Sequence, residues 1–234
     1  MLLHITLIFS AEFQDINGIM YKNGNKYSGK WTQNHSSGKI RNTGRYQQGY
    51  RQGNWLWYTG NGKIECMGNY QDGERNGRWS WYYPNGVLSK LQFFTRGNKT
   101  GSWYEFYESG QTRLLLQYDR GEFYRNHTMW YPNGSRKYQQ TYKKIKEKYL
   151  LESISIEWYE NGSKRFEGYF NNGEAIGPQK WYWHNGHLML SGFAFGEKLI
   201  GEWIRYYSNG QEAGRMINPD NDWVYSWIPL KDNN

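Results

Sequence analysis

One short segment recurs at a fixed step along this 234-residue chain, and that step constrains the fold more than any other feature. A ten-residue frame that opens at Gly53 returns at Gly77 and again at Gly101, each time after 24 residues. A period of this length indicates small supersecondary units that bury their apolar faces against one another. Five further copies open at Gly29, Arg125, Ser153, Gly177 and Gly201.

The tenth residue of the frame is its most constant position, because it is Gly in all eight copies and follows Asn in six of them. Asn-Gly is a strong hairpin signal, since both residues tolerate the positive φ of a type I′ turn. We therefore predict a type I′ hairpin turn in each repeat. The eight turn glycines are Gly38, Gly62, Gly86, Gly110, Gly134, Gly162, Gly186 and Gly210.

Aromatic strands flank each of these turns. The segment Trp55–Tyr58 precedes one turn, and the strand after it ends at Tyr70, beyond which Gly73 marks a second turn into the next repeat. Gly68, two residues before the terminal aromatic, would let a ring of the next strand lie over bare backbone. The pattern predicts an all-β fold, an elongated single-layer antiparallel β-meander built from about eight 24-residue hairpins.

The composition suits a thin sheet covered by rings. Mean hydropathy is only -1.00, a value that would predict disorder in a chain poor in aromatic residues. This chain has 22 Tyr and 13 Trp, whose rings bury an apolar face while their polar edge stays in water.

The repeat array is predicted to cover residues 18–216, with one irregularity. The step from Arg125 to Ser153 is 28 residues, which places a four-residue insertion at about 143–152, and insertions in repeat arrays usually form loops. Residues 1–17 fit either an ordered first strand or a vestigial targeting segment. Residues 217–234 form a C-terminal tail.

The location of the protein rests on two weak signals. The single cysteine, Cys66, allows no intramolecular disulfide. The apolar stretch near the N-terminus is short for a secretory signal and has no basic residue before it. Together these observations favour an intracellular location.

The pattern Gly-x-Trp-x-x-Tyr-Tyr-x-Asn-Gly, followed by Gly-Tyr-x-x-Gly, resembles the MORN repeat family. It is similar in particular to the variant found in bacterial antitoxin-like proteins and in giant-virus and protist proteins, while Tyr21–Trp31 is also close to the eukaryotic form. The resemblance implies a β-ribbon that acts as a protein–protein scaffold, with no shared catalytic residues and, in some members, a link to phospholipid membranes. The departures from the pattern are Arg125 and Ser153 for the opening Gly, and His127, Ser155 and Gln179 for the opening Trp.

A basic segment coincides with the insertion. The chain carries a formal charge of +8, and residues 136–148 hold six basic residues and one acid. Two interpretations stay open: a solvated lysine loop, or a contact with an anion such as an acidic protein, RNA or a lipid headgroup. The candidate contact residues are Arg136, Lys137, Lys143, Lys144, Lys146 and Lys148.

Residues with catalytic or metal-binding chemistry are sparse. His184 and His187 flank a turn without the three or four converging ligands that a metal needs, and Cys66 lies on a repeat strand with no motif around it. We therefore predict no enzyme activity, no cofactor and no small-molecule substrate.

The leading functional hypothesis is a structural or adaptor protein that contacts other proteins, as one component of a larger assembly. One alternative is a carbohydrate or cell-surface binding module, because exposed aromatic faces stack on sugars and quaternary amines. The other is binding to an anionic membrane surface through the net positive charge.

Overall fold

The computed structural model describes residues 12–221 and 224, apart from the side chains of Tyr124 and Arg125. The chain divides into two compact units, an N-terminal unit up to Gly101 and a C-terminal unit from Ser102. The strands assigned within the described residues are β1 (Phe13–Ile16), β2 (Ile19–Lys22), β3 (Asn25–Lys26), β4 (Gly29–Asn34), β5 (Ile40–Gln47), β6 (Tyr50–Tyr58), β7 (Ile64–Gln71), β8 (Glu74–Tyr82), β9 (Leu88–Thr95), β10 (Asn98–Phe106), β11 (Thr112–Asp119), β12 (Glu122–Trp130), β13 (Arg136–Ile145), β14 (Lys148–Leu151), β15 (Ser153–Trp158), β16 (Lys164–Asn171), β17 (Glu174–Tyr182), β18 (Leu188–Phe195), β19 (Lys198–Tyr206) and β20 (Glu212–Ile217).

Within each unit, consecutive strands pair antiparallel. In the N-terminal unit β4 to β9 form one such series, and β1, β2 and β3 form a separate small sheet. In the C-terminal unit the series runs from β11 to β20, and β13 pairs with both β14 and β15. The prediction of an all-β antiparallel meander is confirmed.

The Asn-Gly turn differs from the type I′ turn predicted for it. The Gly62 N–H donates to the Thr59 carbonyl at 2.9 Å, and Gly62 has a φ of 91°, whereas Asn61 is not among the residues with positive φ. This is a type I turn followed by one left-handed glycine, with a bulge where the pairing shifts after Trp57. All eight turn glycines have φ between 81° and 91°. The type I′ prediction at this turn is wrong, because only the glycine needs a positive φ.

Asn precedes the glycine for a different reason. In the repeat that contains Gly86, the Val87 N–H donates to Asn85 Oδ1 at 2.9 Å, two residues along the backbone. A short amide side chain can close this local ring and so stabilise the turn.

The type I′ geometry occurs at the second turn of the repeat. Asp72 and Gly73 have φ of 52° and 84°, and the residues on either side, Gln71 and Glu74, pair directly across the two-residue loop. Two residues with positive φ match the right-handed twist of the flanking strands. The residue before the glycine varies widely at these turns, being Gln48, Asp72, Arg96, Arg120 and Asn172.

Tryptophan rings lie directly on glycine backbone, as the sequence predicts. Trp79 is 1% exposed, and a Cβ added at Gly68 would lie 2.2 Å from Trp79 Cδ2. The indole Nε1 donates to the Asn69 carbonyl at 3.1 Å, so the polar edge is satisfied while the ring is buried. Trp55 over Gly44 and Trp203 over Gly192 repeat the arrangement.

The described ends of the chain also pack against rings. Phe13 meets Tyr27 edge-on, with ring centroids 5.1 Å apart. In the predicted C-terminal tail, Val224 is 1% exposed and lies in a buried cluster with Trp203. The tail therefore contributes to the core. Residues 1–11 of the predicted N-terminal segment lie outside the described part, and the remainder of it contains β1.

Candidate functional site

The four-residue insertion lengthens a hairpin and does not form the loop that was predicted. The strand after the repeat turn has eight residues in β5 and β7, but ten in β13. The returning segment also gains two residues, because residues 148–158 replace a nine-residue strand such as β6. Side chains alternate between faces with a period of two, so two extra residues on each strand leave every later side chain on its original face.

The six basic candidate residues are spread over this hairpin. Arg136 and Lys137 lie at the start of β13, and Lys143 and Lys144 lie near its end, about 20 Å further along at ~3.3 Å per residue. Lys146 occupies the two-residue turn, where it has a φ of 54°, and Lys148 opens β14. The structure therefore groups only Lys143, Lys144, Lys146 and Lys148.

Neighbouring groups already engage three of the six. Lys144 forms an ion pair with Glu122, whose hydrogen bond and charge raise the pKa of the lysine. The Arg136 guanidinium lies 5.9 Å from the centre of the Trp158 ring, and Lys137 Nζ lies 5.3 Å from that of Tyr131. Lys143, Lys146 and Lys148 are exposed.

A cavity of about 620 Å³ lies beside the basic hairpin in the C-terminal unit. Lys143 and Lys144 line it together with three carboxylates, so its wall carries no excess of positive charge. An anion would thus meet the exposed lysines at the end of the hairpin more favourably than the cavity. The residues that line the cavity are Asp119, Glu122, Phe123, Thr141, Tyr142, Lys143, Lys144, Glu152 and Ser153.

The histidines and the cysteine have structural surroundings. His184 stacks on Tyr159 with ring centroids 3.6 Å apart, and His187 Nδ1 lies 2.8 Å from the Ser208 carbonyl. Cys66 is 8% exposed, and burial raises the pKa of its thiol to about 12. Across residues 12–221 and 224, no three His, Cys, Asp or Glu side chains come close enough to hold a metal.

In β5 to β8 of the N-terminal unit, several positions on the sheet face opposite the tryptophans are polar, and the next repeat has Phe93 at the position of Asn69. Alternation along the strands places Arg45, Gln52, Asn54, Asn69 and Asn76 on this outer face. Arg45 pairs with Gln52, and Asn69 pairs with both Asn54 and Asn76. The Asn69 amide donates to Asn54 Oδ1 at 3.1 Å.

The same repeat positions are apolar in the last repeats of the C-terminal unit. Tyr169 pairs with Ile176, and Phe193 pairs with Ile200, at the register position that Asn69 and Asn76 occupy in the other unit. Sequence reasoning missed this surface. Its signal is a polar-to-apolar change at fixed frame positions, which shows only when the repeats are compared position by position.

In the part of the chain that the structure describes, no helix has the length and apolar character needed to cross a membrane. Five stretches match the model of a MORN repeat variant, at residues 51–72, 75–95, 99–120, 126–144 and 151–172. No curated protein matches the chain.

Two solved structures show a distant likeness. A chain in the crystal structure of TcdB2-TccC3-Cdc42 matches over 88% of this chain and 13% of its own length, at 12% identity and a TM-score of 0.25. A chain in the crystal structure of TcdB2-TccC3 matches over 88% of this chain and 14% of its own, at 11% identity and a TM-score of 0.24. This chain thus spans a small part of the length of either.

Proposed function

The chain belongs to the MORN repeat family, and from this premise we propose that it is a non-catalytic scaffold that binds other proteins as one component of a larger assembly. The repeats supply a stable sheet, and the outer face supplies the contacts. The family supports a role in repeat-based binding; the partner and the assembly are our proposal.

One observation carries the proposal: the turns recur at fixed frame positions in every repeat, while the outer face changes chemistry from repeat to repeat. Trp55, Trp79 and Trp203 lie on glycine in the same way. At one outer register position, the pair Asn69–Asn76 in one unit corresponds to Phe193–Ile200 in the other. A constant hairpin framework with a variable surface is typical of repeat proteins that bind partners along their length.

We further propose that the partner is acidic where it meets the basic hairpin of β13 and β14. Lys143, Lys146 and Lys148 are exposed there, and the chain as a whole carries a charge of +8. Positive charge at this density attracts an acidic surface over about 8 Å at physiological salt.

The test is capture of binding partners by the full chain, with chemical cross-linking to locate the contact. We expect the triple variant Lys143→Glu, Lys146→Glu and Lys148→Glu to lose the cross-links at the hairpin and to retain at most about a tenth of the captured partner. The matched control changes three exposed lysines elsewhere, Lys30, Lys39 and Lys180, to Glu. This control makes the same change in net charge, so it should keep most of the partner.

Equal loss in both triple variants would mean a non-specific charge effect and would contradict the acidic contact. Binding only to vesicles with anionic lipid would assign the membrane-surface alternative, and binding only to a glycan array would assign the carbohydrate alternative. Either result would overturn the protein-scaffold proposal.

A further inference from the structure

The last repeats of the C-terminal unit carry large apolar side chains on the outer face, in two rows across the strands. One row is formed by Ile154, Tyr169, Ile176 and Phe195, each of which is the direct cross-strand partner of the next. The second row is formed by Pro178, Phe193 and Ile200 in the same manner. Neighbouring residues in one row lie about 4.8 Å apart. Phe193 and Phe195, one from each row, are two residues apart on β18, so the two rows form one continuous surface.

This surface is open to solvent. Phe195 is 70% exposed and Phe193 is 53% exposed, and Tyr169, Ile200 and the nearby Ile217 are 40%, 41% and 64% exposed. A fully exposed aromatic side chain presents ~150–250 Å², and together these five side chains expose about 500 Å². Apolar patches of ~300–600 Å² are the largest on typical monomers and often mark a binding surface.

The area agrees with that of one half of a standard dimer. A specific interface buries about 800 Å² on each partner. About 65% of a homodimer interface is apolar, which amounts to roughly 500 Å² per partner. Two antiparallel sheets also pack well face to face, with interdigitating side chains about 10 Å apart.

The charge around the patch permits a second copy to approach. Residues 164–217 contain six basic and five acidic residues, whereas the whole chain carries a formal charge of +8. This region therefore lacks the excess of positive charge that would repel an identical face, and it has no dominant charge that would select an oppositely charged partner.

The described end of the chain does not cover the patch. Val224 is buried with Leu190 and Trp203. Trp203 lies over Gly192 on the inner face, so Val224 packs on the side of the sheet opposite Phe193 and Phe195.

We propose that the apolar outer face of β16 to β19 pairs with the same face of a second copy of this chain, in a two-fold symmetric sheet-on-sheet dimer. The dimer goes beyond the scaffold function, because self-association needs no other protein. Each dimer would carry two basic hairpins, and both would stay free to bind because the dimer contact lies on β16 to β19.

Sedimentation velocity of the full chain from about 1 to 100 µM tests the dimer. We expect the mass to rise from the monomer value of 28.0 kDa towards twice that value. Phe195→Glu should weaken the association at least tenfold, because it places a charge within an apolar contact. The matched control is Ile64→Glu, at a residue 39% exposed in the N-terminal unit, which should leave the mass unchanged.

Phe193→Cys gives an independent measurement that does not depend on the behaviour of the glutamate variant. Phe193 is the middle residue of the second row, and a two-fold axis through the middle of that row brings the two copies of residue 193 together. Mild oxidation should then produce a covalent dimer, while Ile64→Cys should not. A wild-type chain that remains at 28.0 kDa up to 100 µM would overturn the dimer, as would equal loss in Phe195→Glu and Ile64→Glu. Partner capture by the monomeric Phe195→Glu variant would show that the scaffold function stands even where the dimer is lost.

Discussion

The two units build their hairpins with the same turns but fill the inner layer differently. In the N-terminal unit, Trp55 and Trp79 occupy the third position of the frame and lie on glycine. In the C-terminal unit, Trp103 and Trp203 hold this position in the first and last repeats, and the three repeats between them have His127, Ser155 and Gln179 there. The hairpins form despite these replacements. Other residues must therefore be able to make the contacts that the tryptophan makes.

Gln179 shows what those contacts are. Its Nε2 donates to the Tyr169 carbonyl at 3.0 Å, the same bond, ten residues back along the chain, that Trp79 Nε1 makes to the Asn69 carbonyl. The ring volume comes from elsewhere, because a Cβ at Gly168 would lie 2.4 Å from Phe166 Cζ. One tryptophan is thus replaced by two residues, one for the hydrogen bond and one for the volume.

The other two replacements add side-chain hydrogen bonds, and the His127 ring also keeps an edge-on contact with Tyr138, with ring centroids 4.8 Å apart. Gln140 Nε2 donates to Ser155 Oγ at 3.2 Å, and Tyr138 Oη lies 2.9 Å from His127 Nε2. The N-terminal unit instead holds a cation between rings: the Arg51 guanidinium lies 5.1 Å from the ring centre of Trp55. The difference teaches that the aromatic layer stabilises the repeat but does not specify its turns.

The largest effect is expected from Trp79→Ala. The substitution leaves a cavity over Gly68 and should cost about 3–5 kcal/mol, as large-to-small changes in cores do. Gln179→Ala, its counterpart in the other unit, should cost only ~1–3 kcal/mol, because it removes little volume and the two hydrogen bonds that the amide donates to the Tyr169 and Ile176 carbonyls. Hydrogen exchange measured on peptides of β7–β8 and β16–β17 gives the two local stabilities, and equal losses would erase the proposed distinction between the units.

Gly68→Ala tests the close approach itself. The new methyl group would overlap Trp79, whose Cδ2 lies 2.2 Å from the added Cβ, so we expect a loss of about 1–3 kcal/mol. Gly214→Ala in β20 is the control, because nothing lies within 4 Å of its added Cβ and its φ is not positive. Urea unfolding should show Gly214→Ala unchanged within ~0.5 kcal/mol, and a similar loss in both variants would point to the strand backbone as the cause.

Gln179→Trp tests whether one tryptophan can supply both the hydrogen bond and the ring volume in the C-terminal unit, as Trp79 does in the N-terminal unit. Alone it should destabilise by roughly 1–3 kcal/mol, because Phe166 already fills the ring volume. Phe166 occupies the frame position that Cys66 has in the N-terminal unit. Adding Phe166→Cys makes room for the new indole and should recover at least half of the lost stability. Measured as a double-mutant cycle, additive effects of the two substitutions would contradict the division of roles between Gln179 and Phe166.

Ser153→Gly should stabilise the C-terminal unit by about 1 kcal/mol, since Ser153 has a φ of 67° where Gly53 and Gly177 have 69° and 68°. A left-handed conformation costs a serine more than a glycine. The thermal midpoint should rise by a few degrees. Ser135→Gly, at a residue outside the positive-φ set, is the control and should give no gain.

The smallest effect concerns pH. Burial lowers the pKa of His127, so the folded state protonates this imidazole at a lower pH than the unfolded chain, which protonates it near pH ~6.5. The unfolded state then binds more protons, and stability falls as the pH decreases from about 6.5 through the folded pKa. In wild-type protein the denaturant midpoint should therefore fall between pH 7 and 5, and His127→Gln should make that fall smaller. A pH profile that is the same in both proteins would rule out a contribution from His127.

Several parts of the structure followed from the sequence. The 24-residue step predicted the hairpins, and glycine two residues before an aromatic predicted where rings would lie on the backbone, as Gly68 and Trp79 show. The basic hairpin was recognised as a segment, and its interpretation as a binding site stays a prediction. Its form was missed, because nothing in the residues of an insertion says whether they pair or loop.

The sequence by itself determined the repeat, the positions of its turns and the glycine sites that accept a ring, because each depends on residues close along the chain. The tertiary structure decided which turn is type I′ and that Phe166 and Gln179 together supply the volume and the hydrogen bond of one tryptophan. It also decided that Ile154, Tyr169, Ile176 and Phe195 form one row. These depend on cross-strand register, which shifts by two residues at bulges such as the one between Met67 and Asn69 and by one residue at the bulge beside a repeat turn. A single strand records which of its residues share a face, but only pairing with its neighbours fixes which residues meet there.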